Sequence, residues 1–144
     1  AQLSRGLGDV YKRQLNRLMT DLNPSRVVTD YQMAKLALVI DRFRRLDNEL
    51  PCQTLATFLY IASHDDCTKV DLERALEFST ASGSRNTDWL SGKHRILDRQ
   101  GLGLIVKSRD PTNKRRLLLQ LTPKGKRLVQ TIKDILYGEA TNMG

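Results

Sequence analysis

Residues 104–125 read LIVKSRDPTNKRRLLLQLTPKG, and this stretch decides the fold. Its apolar opening, Leu104 to Val106, is typical of a short strand, and Asp110-Pro111-Thr112-Asn113 carries residues that favour a turn. Leu117 to Leu121 then predicts a second strand, on which side chains alternate between two faces. The stretch therefore predicts a β-hairpin with a loop of about four to six residues.

A last helix is predicted after this hairpin. Pro123 suits the first turn of a helix because its missing N–H is not needed there, and Thr122 before it predicts an N-cap. The helix should end near Gly138, and its apolar side repeats at helical spacing: Leu128, Val129, Ile132, Ile135 and Leu136.

Four helices are predicted ahead of the hairpin. The first begins at Thr29 or Asp30 and ends before Asn48. The second runs from Cys52 to Ser63 and is apolar almost all round, which favours a place in the core. The first helix carries an apolar stripe at helical spacing, formed by Met33, Leu36, Ala37, Ile40, Phe43 and Leu46.

Capping residues predict where the third and fourth helices begin. Thr68 opens the third, and its spacing to Asp71 fits a capping box. The fourth, Thr80 to Ser91, has Ser79 as its N-cap and Gly92 as its C′ residue. A polar connection, 93–100, leads to the hairpin. The order of elements predicts a mainly α protein with a small β-hairpin, a winged helix-turn-helix.

The N-terminus stands apart from this pattern. Residues 1–14 have no hydrophobic period, contain two glycines and resemble a translated sequencing-adapter tail. We expect a disordered tail there, for which a non-native origin and a plain flexible terminus both stay open. A short amphipathic segment follows between Leu15 and Leu22, and we expect residues 15–144 to form one domain with helices flanking the winged helix-turn-helix.

The charge points to a polyanion. Lys and Arg number 24 against 16 Asp and Glu, which gives a net charge of +8, and the sequence pI is about 9.8. Between Lys93 and Arg127 the only acids are Asp98 and Asp110. A solvated basic face is the plainer interpretation, but the coincidence of this run with the hairpin favours nucleic acid. No apolar run approaches the ~20 residues of a membrane span, so we expect a cytoplasmic protein without a membrane partner.

Catalysis finds little support in the sequence. The nearest reactive cluster joins Cys67 to His64 and Asp65-Asp66 without an oxyanion motif, and no metal-ligand spacing occurs. We expect no enzyme, no catalytic or metal site and no cofactor. Cys52 at a helix start is open to interpretation as a redox-active thiol, although a half-buried structural cysteine is favoured.

The helix from Thr80 to Ser91 is the candidate for entry into a major groove. Its short hydroxylated residues let the backbone approach DNA closely, and the guanidinium of Arg85 can bind O6 and N7 of guanine together. The alternative is a solvated, weakly helical connection, because Ser, Thr and Gly are mediocre helix formers. The flanking helices and hairpin favour the DNA-binding interpretation.

Three segments together resemble the MarR family of winged-helix transcriptional regulators. These are Leu76 to Arg85, the hairpin Lys107 to Arg116, and Leu121-Thr122-Pro123-Lys124-Gly125. The resemblance covers roughly residues 30 to 137, and the portion from the wing to the last helix is its most specific part.

The resemblance implies a sequence-specific regulator that binds double-stranded DNA as a homodimer. The helices at 30–47 and 122–137 would form the dimer. The recognition helix, about 80–91, would enter the major groove and the wing, 107–117, would lie at the minor groove. Asp110 would hold the wing turn in shape. The implied DNA-facing residues are Thr80, Ser82, Ser84, Arg85 and Asn86 on the helix, with Arg109, Lys114, Arg115 and Arg116 on the wing.

Three departures from the family pattern qualify this expectation. The stretch from Gly92 to Gln100 looks like an insertion, Asn113 stands where the family often has Asp, and the chain ends about twenty residues after Pro123. Either the dimer uses less surface than is usual or the sequence is a fragment. Nothing in the sequence marks a pocket for a small-molecule effector. A non-regulatory DNA-binding accessory module, for replication or recombination, stays open as the alternative function.

Overall fold

The computed structural model describes residues 27–94 and 99–138, together with Arg13. The expected tail at 1–14, apart from Arg13, and the amphipathic segment at 15–22 lie outside the described residues. Within this part of the chain there are five longer helices: α1 (Tyr31–Leu46), α2 (Cys52–Ser63), α3 (Lys69–Leu76), α4 (Thr80–Leu90) and α5 (Pro123–Tyr137). The strands are β1 (Cys67–Thr68), β2 (Lys93–His94), β3 (Arg99–Gln100), β4 (Ile105–Arg109) and β5 (Leu117–Leu121).

The chain divides into two compact units. Residues 47–128 form one unit and contain the helix-turn-helix and the hairpin, whereas α1 and the chain from Val129 onward form the other. Among the described helices, none is long and apolar enough to cross a membrane.

The smaller unit is a pairing of α1 with the end of α5. The ammonium of Lys35 donates to the backbone carbonyls of Leu136, at 3.3 Å, and of Gly138, at 2.6 Å. These carbonyls lie at the end of a helix, where backbone acceptors lack partners and a positive charge is favourable. The buried apolar residues of the unit come from both helices: Leu38, Val39, Phe43, Ile132 and Ile135.

The larger unit is built around α2. Phe58 is fully buried and Ile61 nearly so, and Leu72 of α3 and Leu90 of α4 are also fully buried. The capping box at the start of α3 forms as the sequence predicts: the amide of Asp71 donates to Oγ1 of Thr68, and the amide of Thr68 donates to the carboxylate of Asp71. This cap fixes the turn between α2 and α3.

The hairpin belongs to a three-stranded antiparallel sheet, ordered β1-β5-β4. In β4 and β5, Arg109 pairs with Leu117 and Ile105 with Leu121. On the other edge of β5, Cys67 pairs with Leu119. Leu119 is buried and Gln120 beside it is exposed, so β5 alternates between an inner and an outer face.

The predicted fold class is confirmed, with four local differences. β1 was not predicted, because a two-residue strand carries no period of its own. The supposed insertion after Gly92 forms a second antiparallel pair, β2 with β3. Gly92 follows the C-cap Ser91 and so occupies the predicted C′ position, but Ser91 is in extended backbone and among the described glycines only Gly103 has a positive φ, of 67°. Cys52 is exposed rather than half-buried.

The apolar stripe of α1 is largely uncovered. Of the six residues in the predicted stripe, only Phe43 is buried. The side of α1 that is buried carries Leu38 and Val39 instead. Met33 is 55% exposed, Leu36 48% and Ile40 42%, so among the described residues a continuous apolar face of α1 lies open.

Candidate nucleic-acid interface

Helix α4, the predicted recognition helix, begins with a formed N-cap. The hydroxyl of Ser79 accepts a hydrogen bond from the amide of Ser82 at 3.1 Å, which satisfies one of the donors left free at a helix start. Thr80 and Arg85 are exposed, whereas Ser82 and Ser84 are half-buried. The guanidinium of Arg85 donates to the hydroxyl of Ser82 at 3.2 Å. The first two turns of α4 therefore present short polar groups and one arginine at the surface.

Asn86 does not belong to that surface, and its predicted DNA contact is wrong. Its side chain is only 3% exposed, and its Oδ1 accepts a hydrogen bond of 2.7 Å from the hydroxyl of Thr54 in α2. Its Nδ2 donates to the carbonyl of Ser82 at 2.9 Å. Both ends of the amide are used inside the protein, because Asn86 lies on the side of α4 that packs on α2.

A buried ion pair seats the start of α4 on α3. The ammonium of Lys69 bonds the carboxylate of Glu73 at 2.6 Å and also the carbonyl of Thr80 at 3.3 Å. Lys69 and Glu73 side chains are 11% and 13% exposed. A Cβ at Gly83 would overlap the side chain of Glu73, so any larger residue at this position requires that side chain to shift.

The wing turn is held by Asp110. Its Oδ1 accepts from the amide of Thr112 at 2.9 Å and from the hydroxyl of Thr112 at 2.7 Å. The hydrogen bonds from Thr112 hold the pKa of the Asp110 carboxyl below its ordinary value. Asn113 supports the same turn, since its Oδ1 accepts from the amide of Arg115 at 3.1 Å. The turn is an Asx-type structure made by two side chains.

The wing carries its cations at the surface. Lys114, Arg115 and Arg116 are exposed at the tip, and Arg109 is exposed at the end of β4. One guanidinium nitrogen of Arg109 donates to the carbonyl of Lys114 at 3.1 Å, which holds that side chain along the hairpin. Guanidinium groups have five N–H donors, so most of those on Arg109 stay available for a ligand.

Helix α4 and the hairpin meet at one surface groove of about 360 Å³. Ser84 lines it from α4, and Ser108 and Arg109 line it from β4. Its floor contains an ion pair between the ammonium of Lys107 and the carboxylate of Asp88, whose side chains are 17% and 8% exposed. The predicted site residues Ser84 and Arg109 are thus brought to a common groove.

Several residues of this region were missed by sequence reasoning. Lys69, Glu73, Asp88, Lys107 and Ser108 gave no local signal, since their pairings join separate helices and strands. The one available hint was Asp88 as the only acid in a polar, cation-bearing helix. Among the described residues, no group of three or more His, Cys, Asp or Glu side chains could hold a metal ion.

Fold and surface together define a winged helix-turn-helix, and solved structures share this fold. MepR from S. aureus, solved as a complex with DNA, matches with a TM-score of 0.54 and 24% identity, over 72% of this chain and 77% of that one. RV1404 from Mycobacterium tuberculosis matches with a TM-score of 0.54 and 20% identity, over 75% of this chain and 67% of that one. At these identities the likeness shows a shared fold, so the chain has the winged helix-turn-helix fold of these two structures. No protein-family model and no curated protein matches the sequence.

Proposed function

We propose that this protein is a MarR-like transcriptional regulator that binds double-stranded DNA sequence-specifically. The observation that carries the proposal is the shared groove, because Ser84 of the recognition helix and Arg109 of the wing line it together. A helix and a hairpin that open onto one groove can touch a single duplex at the same time. The fold of the MepR–DNA complex supports the same use of this surface.

In this proposal α4 enters the major groove. Exposed Arg85 reads guanine through its fork of donors, and the hydroxyls of Thr80, Ser82 and Ser84 approach bases or phosphates. Because Ser82 already accepts a hydrogen bond from Arg85, it orients the guanidinium before DNA arrives. Asn86 contributes by fixing α4 on α2 and makes no DNA contact.

The wing supplies charge and lies at the minor groove. Lys114, Arg115 and Arg116 extend from a turn that Asp110 keeps in one shape. Contacts of this kind go mainly to phosphates or to the narrow, electronegative minor groove, so they raise affinity for all duplexes more than they select a sequence.

The protein acts as a homodimer in this proposal. The open apolar face of α1, formed around Met33, Leu36 and Ile40, is an energetic cost for a lone chain in water, and a second copy of the same face would cover it. Leu136 and Tyr137 at the end of α5 are 37% and 80% exposed and belong to the same unit as α1. The apolar surface available for dimerisation therefore comes from both predicted helices.

Titration of the purified protein against a randomised pool of duplexes, at two salt concentrations, tests the DNA-binding proposal. We expect enrichment of one sequence class, with that class bound at least about a thousandfold more tightly than random duplex. Equal affinity for every duplex would favour the accessory-module alternative. Absence of binding at low salt would end the proposal, since the cations alone should give weak binding there.

Sedimentation of the wild type and of Leu36→Lys/Ile40→Lys tests the dimer. A dimer that the double substitution converts to a monomer is the expected result, because it places two like charges opposite their copies. Lys133→Glu, an exposed charge change on α5, is the matched control. A wild-type chain that sediments as a monomer at micromolar concentration would contradict the dimer.

A further inference from the structure

The groove between α4 and β4 contains hydrogen-bond donors, and the charges of its lysines are neutralised by carboxylates. Two lysines reach it, Lys69 and Lys107, but each is paired with a carboxylate, Lys69 with the half-buried Glu73 and Lys107 with the buried Asp88. Arg109 is the cation at the groove that is left without a carboxylate partner among the described residues. Within the same part of the chain, no hydrogen bond engages the hydroxyls of Ser84 and Ser108.

A duplex bound by a helix in one groove and a hairpin in the next has a fixed geometry. The major and minor grooves are separated by one sugar-phosphate backbone, so two elements that enter adjacent grooves must straddle that backbone. The backbone must then pass between α4 and the wing. The groove lined by Ser84, Ser108 and Arg109 lies in that position.

We propose that this groove binds the sugar-phosphate backbone between the two DNA grooves, and that Asp88 limits the charge offered to it by pairing with Lys107. The proposal rests on the proposed DNA-binding function and adds to it the residues that hold the separating strand. The hydroxyls of Ser84 and Ser108 donate to phosphate oxygens, and Arg109 supplies the charge. Lys107 is withheld from the phosphate by its ion pair.

Asp88 in this way limits the sequence-independent part of DNA binding. Each phosphate neutralised by a cation raises affinity for every duplex alike, through release of counterions. A second free cation in the groove would strengthen binding to random DNA, whereas the base contacts of α4 would gain nothing. Pairing Lys107 with Asp88 therefore keeps the affinity for random duplex low and makes DNA binding less dependent on salt, without changing the ratio of specific to non-specific affinity.

The salt dependence of DNA binding separates these roles. Arg109→Gln should make the slope of log K against log salt shallower by about 0.9, equally for cognate and random duplex, so a fourfold rise in salt costs about 3.5-fold less affinity than in the parent. Ser108→Ala should weaken binding about three- to tenfold and leave the slope unchanged, because the hydroxyl carries no charge. Lys126→Gln removes one cation from a separate pocket, beside His64 and Leu121, and should leave the slope unchanged.

Asp88→Asn should change the slope of log K against log salt in the opposite direction to Arg109→Gln. Because Lys107 is then free to contact a phosphate, the slope should become steeper by about 0.9 and binding to random duplex should tighten. This gain is expected although the substituted residue lies in α4 itself. Since this variant leaves Lys107 unpaired, the double variant Asp88→Asn/Lys107→Met provides a second readout, and it should return the slope to that of the parent. Circular dichroism confirms folding for each.

Duplexes in which single phosphates are replaced by uncharged methylphosphonates locate the contact. At the phosphate between the two grooves the parent should lose affinity, and Arg109→Gln should lose no more when that phosphate is neutralised. If the parent binds duplex DNA but Arg109→Gln keeps the parental slope, or Asp88→Asn does not steepen it, the groove does not hold the backbone. If the parent binds no duplex, the proposed function itself fails.

Discussion

Thr54 of α2 and Asn86 of α4 share a hydrogen bond in the interior, with the Thr54 hydroxyl donating to Oδ1 of Asn86 over 2.7 Å. Thr54 is fully buried and Asn86 is 3% exposed. This bond joins the inner side of α4 to α2. It therefore helps to hold the opposite side of α4, which carries Arg85, toward the surface.

Loss of this bond should cost stability and leave base preference intact. Asn86→Ala removes the acceptor, so we expect the free energy of unfolding to fall by about 1–3 kcal/mol, as for other buried groups left unsatisfied. Urea unfolding measures the loss, and selection from a duplex pool measures preference. A variant of parental stability with altered base preference would restore Asn86 to the DNA-facing surface.

Arg85→Ala should show the reverse pattern. Arg85 is exposed and bonds only the hydroxyl of Ser82 among the described residues, so the variant should unfold like the parent. Affinity for a selected duplex should fall by about 1–3 kcal/mol, with relaxed preference at one base pair. Equal binding by parent and variant to every duplex would mean that α4 is not the reading helix.

Gly83→Ala should destabilise the protein although alanine is the better helix former. The gain in helix propensity is about 1 kcal/mol. Against it, the new methyl group would overlap the Glu73 carboxylate and displace it from Lys69, and disrupting a buried ion pair costs about 3–5 kcal/mol. We expect a net loss of about 2 kcal/mol or more in urea unfolding.

Gly92→Ala is the matched control, because nothing lies within 4 Å of the Cβ it would add. It should change the free energy of unfolding by less than about 0.5 kcal/mol. A stabilised Gly83→Ala would show that Glu73 moves aside without leaving Lys69.

The wing turn should depend on pH through Asp110. Hydrogen bonds from Thr112 lower the pKa of this carboxyl below its ordinary value of 3.8. The stabilisation is therefore fully present above that ordinary value and is lost as pH falls through the lower pKa of the folded turn. The amide resonance of Thr112 should shift in that acid window, and it should not shift in Asp110→Asn, which keeps an oxygen acceptor. A Thr112 resonance unchanged by acid in the parent would contradict the role of the carboxylate.

Cys67 should be inert where Cys52 reacts. Burial, and then the charge of Asp71, raises the pKa of the Cys67 thiol to about 11 from an ordinary 9.0. At pH 8 an alkylating reagent should modify exposed Cys52 in the folded protein and reach Cys67 only after unfolding. In Cys52→Ser, Cys67 is the only remaining cysteine, so its alkylation can be followed alone.

Ionisation of the Cys67 thiol should also lower the free energy of unfolding at alkaline pH. Below pH 9 both folded and unfolded thiols are protonated, and the stabilisation is intact; between pH 9 and about 11 the unfolded thiol ionises first, so stability falls as pH rises. Cys67→Ala should flatten that part of the profile. An equal decline in the variant would assign the loss to other groups.

The elements predicted best from sequence are those determined by neighbours along the chain. The N-cap at Thr122, the capping box at Thr68 and the turn at Asp110 each depend on residues two to three positions away. Helices α2 and α4 also begin where predicted, because proline and serine mark their starts.

Features made by distant residues could not be predicted. β1 exists only because Cys67 and Thr68 pair with Leu119 and Leu118, some fifty positions later. The hydrophobic period of α1 predicts an amphipathic helix, but it does not show which apolar side packs against other residues of the chain. Asn86 was assigned to DNA by its polarity, and only the position of Thr54 shows that its amide is satisfied inside.

Thr68 ends a strand that is paired with the wing and also caps the first turn of α3. No spacer residue separates the two roles, so the base of the wing cannot swing without uncapping that helix. Among the described residues, the side-chain hydrogen bonds of the tip, 110–116, close within the turn itself and back to Arg109, and none reaches a helix. An engineer who wishes to change how far the wing reaches should therefore lengthen the loop at its tip and leave the strands at its root at their present length.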